Sequence, residues 1–339
     1  MIPLRIAVIG AGAWGTSLAD FLAEAGHEVT LWVFETDLCG RMTKSRENDL
    51  YLSGVTLHPG LRLTSDLAEA ASAGQDIVLS AMPSHVVRGV WEKLAAFFHE
   101  GTCLISATKG IEAESLHLPT QIIAETLKAA TREPPPLVCI SGPTFARELA
   151  ERRPTAVIAA SESEETAKKV QEAISSSCLR VYTGPDPVGT QLGGAIKNVI
   201  ALAAGITDGL GLGHNARTAL IVRGLAEMSR LGAAMGGQAE TLSGLAGMGD
   251  LVLTCTGDLS RNRTVGYRLG KGEKLDAILG EMTAVAEGVT TAPAAASLAE
   301  KFGVEMPICT QIHAVLFDGK APKKAVGELM SRPLKAERT

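Results

Sequence analysis

The chain is 339 residues long, with 32 Lys and Arg against 37 Asp and Glu and a formal net charge of −5. That length is generous for one domain, so two cores are expected. The acidic balance, with no basic block, excludes nucleic acid as the main partner, because gripping a phosphate backbone needs clustered Lys and Arg.

Residues 4–9, Leu-Arg-Ile-Ala-Val-Ile, form a short apolar run suited to a buried parallel strand, and Gly10-Ala-Gly12-Ala-Trp-Gly15 follows without a gap. Gly10 permits a tight turn, Gly12 lets backbone approach a pyrophosphate, and Gly15 allows the next helix to pack closely on the strand. That helix aims its unpaired N–H groups at the phosphates. Leu18, Phe21, Leu22 and Ala25 give it an apolar face, Gly26 stops it, and residues 28–33 return as a second strand. Glu35 stands about twenty residues past the last glycine, where a ribose-binding carboxylate is expected. Strand, helix, second strand and acid in register make this a dinucleotide site rather than a stray glycine-rich turn.

Residues 36–59 are polar and poorly periodic, and Lys44, Arg46, Glu47 and Asn48 read as a solvated helix face. Strands are predicted at 76–81, 102–107, 137–141, 155–160 and 179–183, alternating with helices at 86–98, 118–130 and 164–174. This is the rhythm of a doubly wound, mainly parallel Rossmann sheet. Ligands bind outside the carboxyl ends of such strands. One crevice should therefore collect Gly10 to Gly15, Phe34-Glu35, Pro83-Ser84-His85, Thr108-Lys109-Gly110 and Ser141-Gly142-Pro143-Thr144. From Asp186-Pro187, an N-cap carboxylate followed by proline at the first helical position, no further strand is legible. Long helices are expected to about 207 and over 216–235, with shorter ones after. The division is thus 1–185 for a nucleotide-binding α/β domain and 186–339 for an all-α domain.

Six dispersed cysteines, with no C-x-x-C pair and no His/Cys cluster at metal spacing, read as reduced thiols of a cytoplasmic protein without a metal site. The first strand begins too early for a signal peptide, and the apolar stretch 199–213 is broken by Asp208 and too glycine-rich for a membrane span.

Lys197 lies mid-helix in an apolar stretch, with Gly193, Gly194 and Ala201 one turn away. It is placed either to meet a ligand in a groove of small residues or to form a buried ion pair, with Asp250 the natural partner. Reduction of a carbonyl by a nicotinamide needs a proton donor, and an amine serves when burial or a neighbouring cation lowers its pKa to about 7–8. Lys109, at a strand end, is a candidate neighbour or an exposed loop lysine. Ser260-Arg261-Asn262-Arg263 is either a capped helix start or a donor cluster for a phosphate ester or carboxylate, since Arg binds such anions bidentately. Asp250, after Gly247-Met-Gly249, either caps a helix or accepts from substrate hydroxyls.

Taken together, the segments Gly-Ala-Gly-Ala-Trp-Gly-Thr (10–16), Ala-Thr-Lys-Gly-Ile-Glu (107–112), Ile-Ser-Gly-Pro-Thr-Phe-Ala (140–146), Gly-Gly-Ala-Ile-Lys-Asn-Val (193–199), Asn-Ala-Arg-Thr-Ala-Leu-Ile (215–221), Gly-Asp-Leu-Val-Leu-Thr-Cys-Thr (249–256) and Ser-Arg-Asn-Arg (260–263) resemble the bacterial NAD(P)-dependent glycerol-3-phosphate dehydrogenases along nearly the whole chain. The resemblance implies reversible reduction of dihydroxyacetone phosphate to sn-glycerol 3-phosphate, a phospholipid precursor, with NAD(P)H as cofactor. It also implies a Rossmann domain joined to an α-helical domain, and it alone suggests a homodimer. By position it makes Lys197 the catalytic proton donor, with Lys109 touching both cofactor and substrate. Gly142, Thr144, Asp250, Ser260, Arg261 and Asn262 would line the substrate. Ala13, Trp14, Phe34, Ala146, Val285 and Glu287 would lie on the cofactor, with Arg261 bridging to it. Many relatives carry a basic or imidazole side chain just after the second strand. Phe34-Glu35 here would repel a 2′-phosphate and accept from a 2′-hydroxyl, so NADH is expected to serve at least as well as NADPH. The rival readings are another hydroxyacid dehydrogenase with an all-α second domain, and a nucleotide-sensing protein without catalysis.

Overall fold

The computed structural model describes residues 2–71, 74–97, 101–130, 132–334 and 336–337. The expected unit opens the chain: β1 (Arg5–Ile9), α1 (Ala13–Glu24) and β2 (Glu28–Trp32). Next come α2 (Thr36–Ser45), a hairpin of β3 (Glu47–Asn48) and β4 (Leu52–Thr56), β5 (Arg62–Thr64), α3 (Leu67–Ala70) and β6 (Ile77–Ser80). They are followed by α4 (Val87–Leu94), β7 (Cys103–Ser106), α5 (Pro119–Ala129), β8 (Val138–Ser141), α6 (Ala146–Ala150), β9 (Thr155–Ala160), α7 (Glu164–Ile174) and β10 (Leu179–Gly184). The helix expected over 86–98 is present as α4 behind a 3-10 turn (Ser84–Val86), and residue 98 falls outside the described residues.

Among the described residues, eight strands form one sheet in the order β10-β9-β8-β7-β6-β1-β2-β5. All neighbours run parallel except β8 and β9, which pair antiparallel. The strands following β1 fan out on one side and those from β6 on the other, so the switch point, where a crevice opens at the carboxyl ends, lies between β1 and β6. Val8, Leu31, Leu79 and Ile105 fill one face of the sheet, and Ile9, Trp91 and Leu104 the other. Each such side chain contributes roughly 1.5–3 kcal/mol by leaving water.

The stretch between Glu35 and Pro59 differs from its expectation. Of the run Lys44 to Asn48, Lys44 does lie on an exposed helix face, but α2 ends at Ser45, Arg46 turns left-handed at φ 54°, and Asn48 is fully buried in the hairpin. Polarity there reflects side chains that serve backbone groups, which periodicity does not register.

After β10 the described residues contain no strand. Asp186 caps α8 (Pro187–Gly209), its Oδ1 accepting from the Gly189 amide at 2.8 Å. There follow α9 (Gly213–Ala234), α10 (Ala239–Ser243), a π-helical turn (Leu245–Gly249), α11 (Asp250–Thr256), α12 (Arg261–Gly270), α13 (Leu275–Gly280), α14 (Glu287–Phe302), α15 (Pro307–Phe317) and α16 (Pro322–Met330). Helix α8 is apolar over most of its circumference, and a helix with that pattern belongs inside. It is buried along nearly its whole length, with Leu192, Ile196, Val199 and Ile200 in a core that reaches Met228, Leu251, Val265 and Ala295 on the surrounding helices.

Candidate active site

The glycine-rich turn has the geometry its spacing implies. Gly10 sits at φ +113°, and a Cβ there would fall 2.8 Å from the carbonyl oxygen of Ala81 at the end of β6. A Cβ on Gly15 would strike the Gly10 carbonyl, whereas one on Gly12 would meet nothing within 4 Å. The turn is thus packed tightly from behind and open in front. Helix α1 starts with Ala13 and Trp14, has no side-chain cap at Gly12 and no acid in its first turn. Its first amides and positive dipole end are left for an anion, so the cradle fits the pyrophosphate of a dinucleotide.

Asn48, which is 0 % exposed, holds this cradle from beneath. Its amide donates to the Ala11 carbonyl and to Thr16 Oγ1, both at 2.8 Å. At the end of β2, Phe34 is 74 % exposed and meets Trp32 edge-on, while Glu35 accepts a 2.8 Å hydrogen bond from the Tyr51 hydroxyl. The Ala146 carbonyl takes Ser17 Oγ at 2.7 Å, tying α6 to α1. Trp14 Nε1 is buried without a partner. Among these, Asn48 and Tyr51 escaped the sequence reading, because hydrogen bonding across 37 and 16 residues leaves no local signature.

The strand ends then lead to the helical half. Thr108 Oγ1 donates to the Met82 carbonyl at 3.0 Å, and on the neighbouring loop Ser84 Oγ donates to Glu287 Oε2 at 2.8 Å. The first residue of α14 is thereby fastened to the end of β6. Desolvation raises the Glu287 pKa, and its bonds from Ser84 oppose the shift.

Lys109, just past β7, reaches across the same boundary. Its Nζ donates to Asp250 Oδ2 at 2.8 Å, and to the Gly142 carbonyl and Thr144 Oγ1 at 3.2 Å each. The other Asp250 oxygen takes the Lys197 ammonium in a very short contact. Lys197 also donates to Thr254 Oγ1 at 2.9 Å, while the Thr254 proton goes to the Asp250 carbonyl one turn back at 2.6 Å. Asp250 is 0 % exposed and Lys197 5 %. Five predicted residues, Lys109, Gly142, Thr144, Lys197 and Asp250, therefore share one buried ionic cluster. Thr254 completes it, and the i, i+4 spacing from Asp250 was the signal available for it.

The small residues beside Lys197 have a different use from the expected groove. A Cβ on Gly193 would lie 2.5 Å from the Ala246 carbonyl oxygen, and one on Gly194 would lie 2.8 Å from Ser141 Oγ. They let α8 press against the π-helical turn and the end of β8, and this approach delivers the amine to Asp250. Of the two sequence readings of Lys197, the ion pair with Asp250 is present, and it is made at the strand ends. Burial, assisted by the nearby Lys109 ammonium and opposed by Asp250, pulls the Lys197 pKa down to about 7. An amine so placed can give or take a proton near neutrality.

The Ser260 to Arg263 segment divides its duties. Ser260 Oγ caps α12, accepting from the Arg263 amide at 3.2 Å. Arg263 pairs with Asp208 and Asp258. Asn262 Nδ2 donates to Asn198 Oδ1 and its Oδ1 accepts from the Gly288 amide, both at 2.9 Å, joining α8, α12 and α14. Arg261 makes no hydrogen bond or ion pair among the described residues. Its side chain is exposed, yet desolvation by the surrounding protein lowers its pKa while Glu287 opposes the shift. Val285, on the approach to α14, is exposed.

A glycine-turn dinucleotide cradle joined to a buried lysine of lowered pKa defines a Rossmann-type dehydrogenase with an all-α second half. The comparisons with known proteins agree. The family model for the NAD-dependent glycerol-3-phosphate dehydrogenase N-terminus matches residues 5–167, and that for the C-terminus matches residues 186–327. The chain is 55 % identical over 333 residues to a glycerol-3-phosphate dehydrogenase [NAD(P)+] of Geobacter sp. (strain M21), covering 98 % of both chains. It is likewise 55 % identical to the protein of that name from Citrifermentans bemidjiense, again over 98 % of each. The crystal structure of glycerol-3-phosphate dehydrogenase from Coxiella burnetii superposes with a TM-score of 0.93 at 38 % identity, covering 97 % of this chain and 99 % of that one. The chain belongs to the NAD-dependent glycerol-3-phosphate dehydrogenase family.

Proposed function

We propose that this protein reversibly reduces dihydroxyacetone phosphate to sn-glycerol 3-phosphate with NAD(P)H, supplying the backbone of glycerophospholipids. The observation that carries the reading is the buried Lys197 amine, shared with Lys109 through Asp250 and drawn to a pKa of about 7 where β7 and β8 end. NAD(P)H, when bound along Gly10, Gly12, Ala13, Trp14 and Gly15, with Phe34, Glu35, Ala146, Val285 and Glu287 around it, supplies the hydride. As the carbonyl carbon gains hydrogen, its oxygen becomes an alkoxide, and Lys197 gives that oxygen a proton. Lys109 polarises the carbonyl, and Asp250 keeps both amines aimed inward. Arg261, whose side chain has no hydrogen-bond or ion-pair partner among the described residues, meets the phosphate, for which a planar fork is suited. Gly142, Thr144, Ser260 and Asn262 shape the wall behind it.

Mixing the protein with NADH or NADPH and dihydroxyacetone phosphate tests this reading, through loss of the reduced-nicotinamide absorbance. Equal turnover of a non-phosphorylated hydroxycarboxylate partner would favour the rival hydroxyacid dehydrogenase, and cofactor binding without turnover would favour a sensor. We place the domain division between residues 185 and 186, where β10 gives way to α8. The six free cysteines suit a reducing cytoplasm, and no described helix is long and apolar enough to cross a membrane. A homodimer rests on the family resemblance alone, and light scattering in solution tests it.

A further inference from the structure

The β3–β4 hairpin touches the cofactor cradle at two points, and the two contacts differ in kind. Asn48 supports the turn that every dinucleotide uses, through Ala11 and Thr16. Tyr51 instead reaches Glu35, the side chain to which the proposed cofactor site gives the choice between a ribose hydroxyl and a ribose phosphate. Its amide accepts its position from Asn48, donating to Asn48 Oδ1 at 3.0 Å, and its hydroxyl donates to Glu35 Oε1 at 2.8 Å. The ring is half-buried and packs against the core under the sheet. The hairpin is itself fastened, with Arg147 donating to the Ser53 carbonyl at 2.6 Å and the Gly54 amide donating to Glu47 at 2.7 Å. The phenol is therefore anchored from behind while the carboxylate at the end of β2 is not.

We propose that Tyr51 is the positioning residue for nucleotide selection: by occupying Glu35 Oε1 it fixes the carboxylate so that Oε2 faces the adenosine ribose, where it accepts from a 2′-hydroxyl and repels a 2′-phosphate. The inference deepens the cofactor assignment above and rests on it. A carboxylate on a flexible stem beside a loop rotates away from an incoming phosphate at little cost. One held by a hydrogen bond to a phenol keeps its charge in place, and the second oxygen retains lone pairs for a ligand. Burial and the Glu35 charge push the Tyr51 pKa up to about 12, so the hydroxyl stays a donor throughout the pH range of the enzyme.

The test compares wild type, Tyr51→Phe, Glu35→Ala and the double variant. The readouts are dissociation constants for NADH and NADPH from nicotinamide fluorescence, and kcat and KM for each with dihydroxyacetone phosphate. Tyr51→Phe keeps the packed ring and removes only the hydroxyl. The expected result is a fall of about five- to tenfold in the NADH-over-NADPH preference, carried by Kd and KM with kcat unchanged, as loss of one such hydrogen bond predicts. In the Glu35→Ala background the same substitution should leave the preference unchanged. An unmoved preference in Tyr51→Phe, equal weakening of both cofactors, or a full effect persisting without Glu35 would each overturn the assignment. Because the binding constants need no substrate, failure of wild type to reduce dihydroxyacetone phosphate would count against the proposed reaction and leave this test intact.

Discussion

Replacing Lys197 by alanine tests the proposed mechanism most directly. The amine is buried, donates to Asp250 and Thr254, and carries the proton that the nascent alkoxide requires. Loss of a positioned general acid costs roughly 10²- to 10⁴-fold, or about 2.7–5.5 kcal/mol of barrier. The fold should survive, because Asp250 keeps the Lys109 ammonium at 2.8 Å and is not left as a lone buried charge. Its loss of stability should therefore stay below the ~3–5 kcal/mol of a fully orphaned pair. Steady-state kcat with saturating NADH and dihydroxyacetone phosphate, together with the NADH dissociation constant, should show turnover down by at least ~10²-fold with cofactor binding intact. The pH profile supplies an independent check. Reduction uses the protonated amine, so wild-type kcat should fall as pH rises through about 7, whereas oxidation of glycerol 3-phosphate uses the neutral amine and should rise across the same interval. Both limbs should vanish in the variant. Turnover close to wild type, or a wild-type profile flat in both directions, would refute the role given to Lys197.

Arg261→Ala should raise KM for dihydroxyacetone phosphate and lower kcat/KM by roughly 10- to 100-fold, the worth of charge-assisted bonds to the phosphate. A comparison with glyceraldehyde, which has no phosphate, should show little change. Asn48→Ala should lower stability by about 1–3 kcal/mol in denaturant melts, since it removes one of the two donors to the Ala11 carbonyl, the donor to Thr16 Oγ1 and the acceptor of the Tyr51 amide. Unlike Tyr51→Phe, it should weaken NADPH as well as NADH, because it loosens the cradle that both use, with a smaller loss of preference from freeing the Tyr51 amide. Gly193→Ala should destabilise more than Gly194→Ala in thermal melts, because the first Cβ meets the Ala246 backbone carbonyl and the second a rotatable serine hydroxyl.

The glycine spacing, the Asp186-Pro187 helix start and the apolar strands were readable because each records a local constraint: a turn, a cap, a buried face. Lys197 stood out for a related reason, as a charge where an apolar helix leaves no room for one. The residues that eluded pattern reading act at a distance. Asn48 looks like surface when seen beside Lys44 and Glu47, yet it serves a turn 37 positions earlier. Asn262, assigned to the substrate by resemblance, spends both ends of its amide on Asn198 and Gly288. Ser260 was legible as a cap, and as a cap it is found. The groove imagined around Lys197 failed because glycine makes room for backbone as readily as for ligand, and composition does not say which.

Asp250 carries one further implication. Its two oxygens are claimed by amines from the two halves of the chain, Lys109 just past β7 and Lys197 on α8, and Asp250 itself is fully buried. Cut free, the helical half would lose the Lys109 partner of this buried carboxylate. The halves should accordingly melt as one cooperative unit, and an isolated helical fragment should loosen around α8.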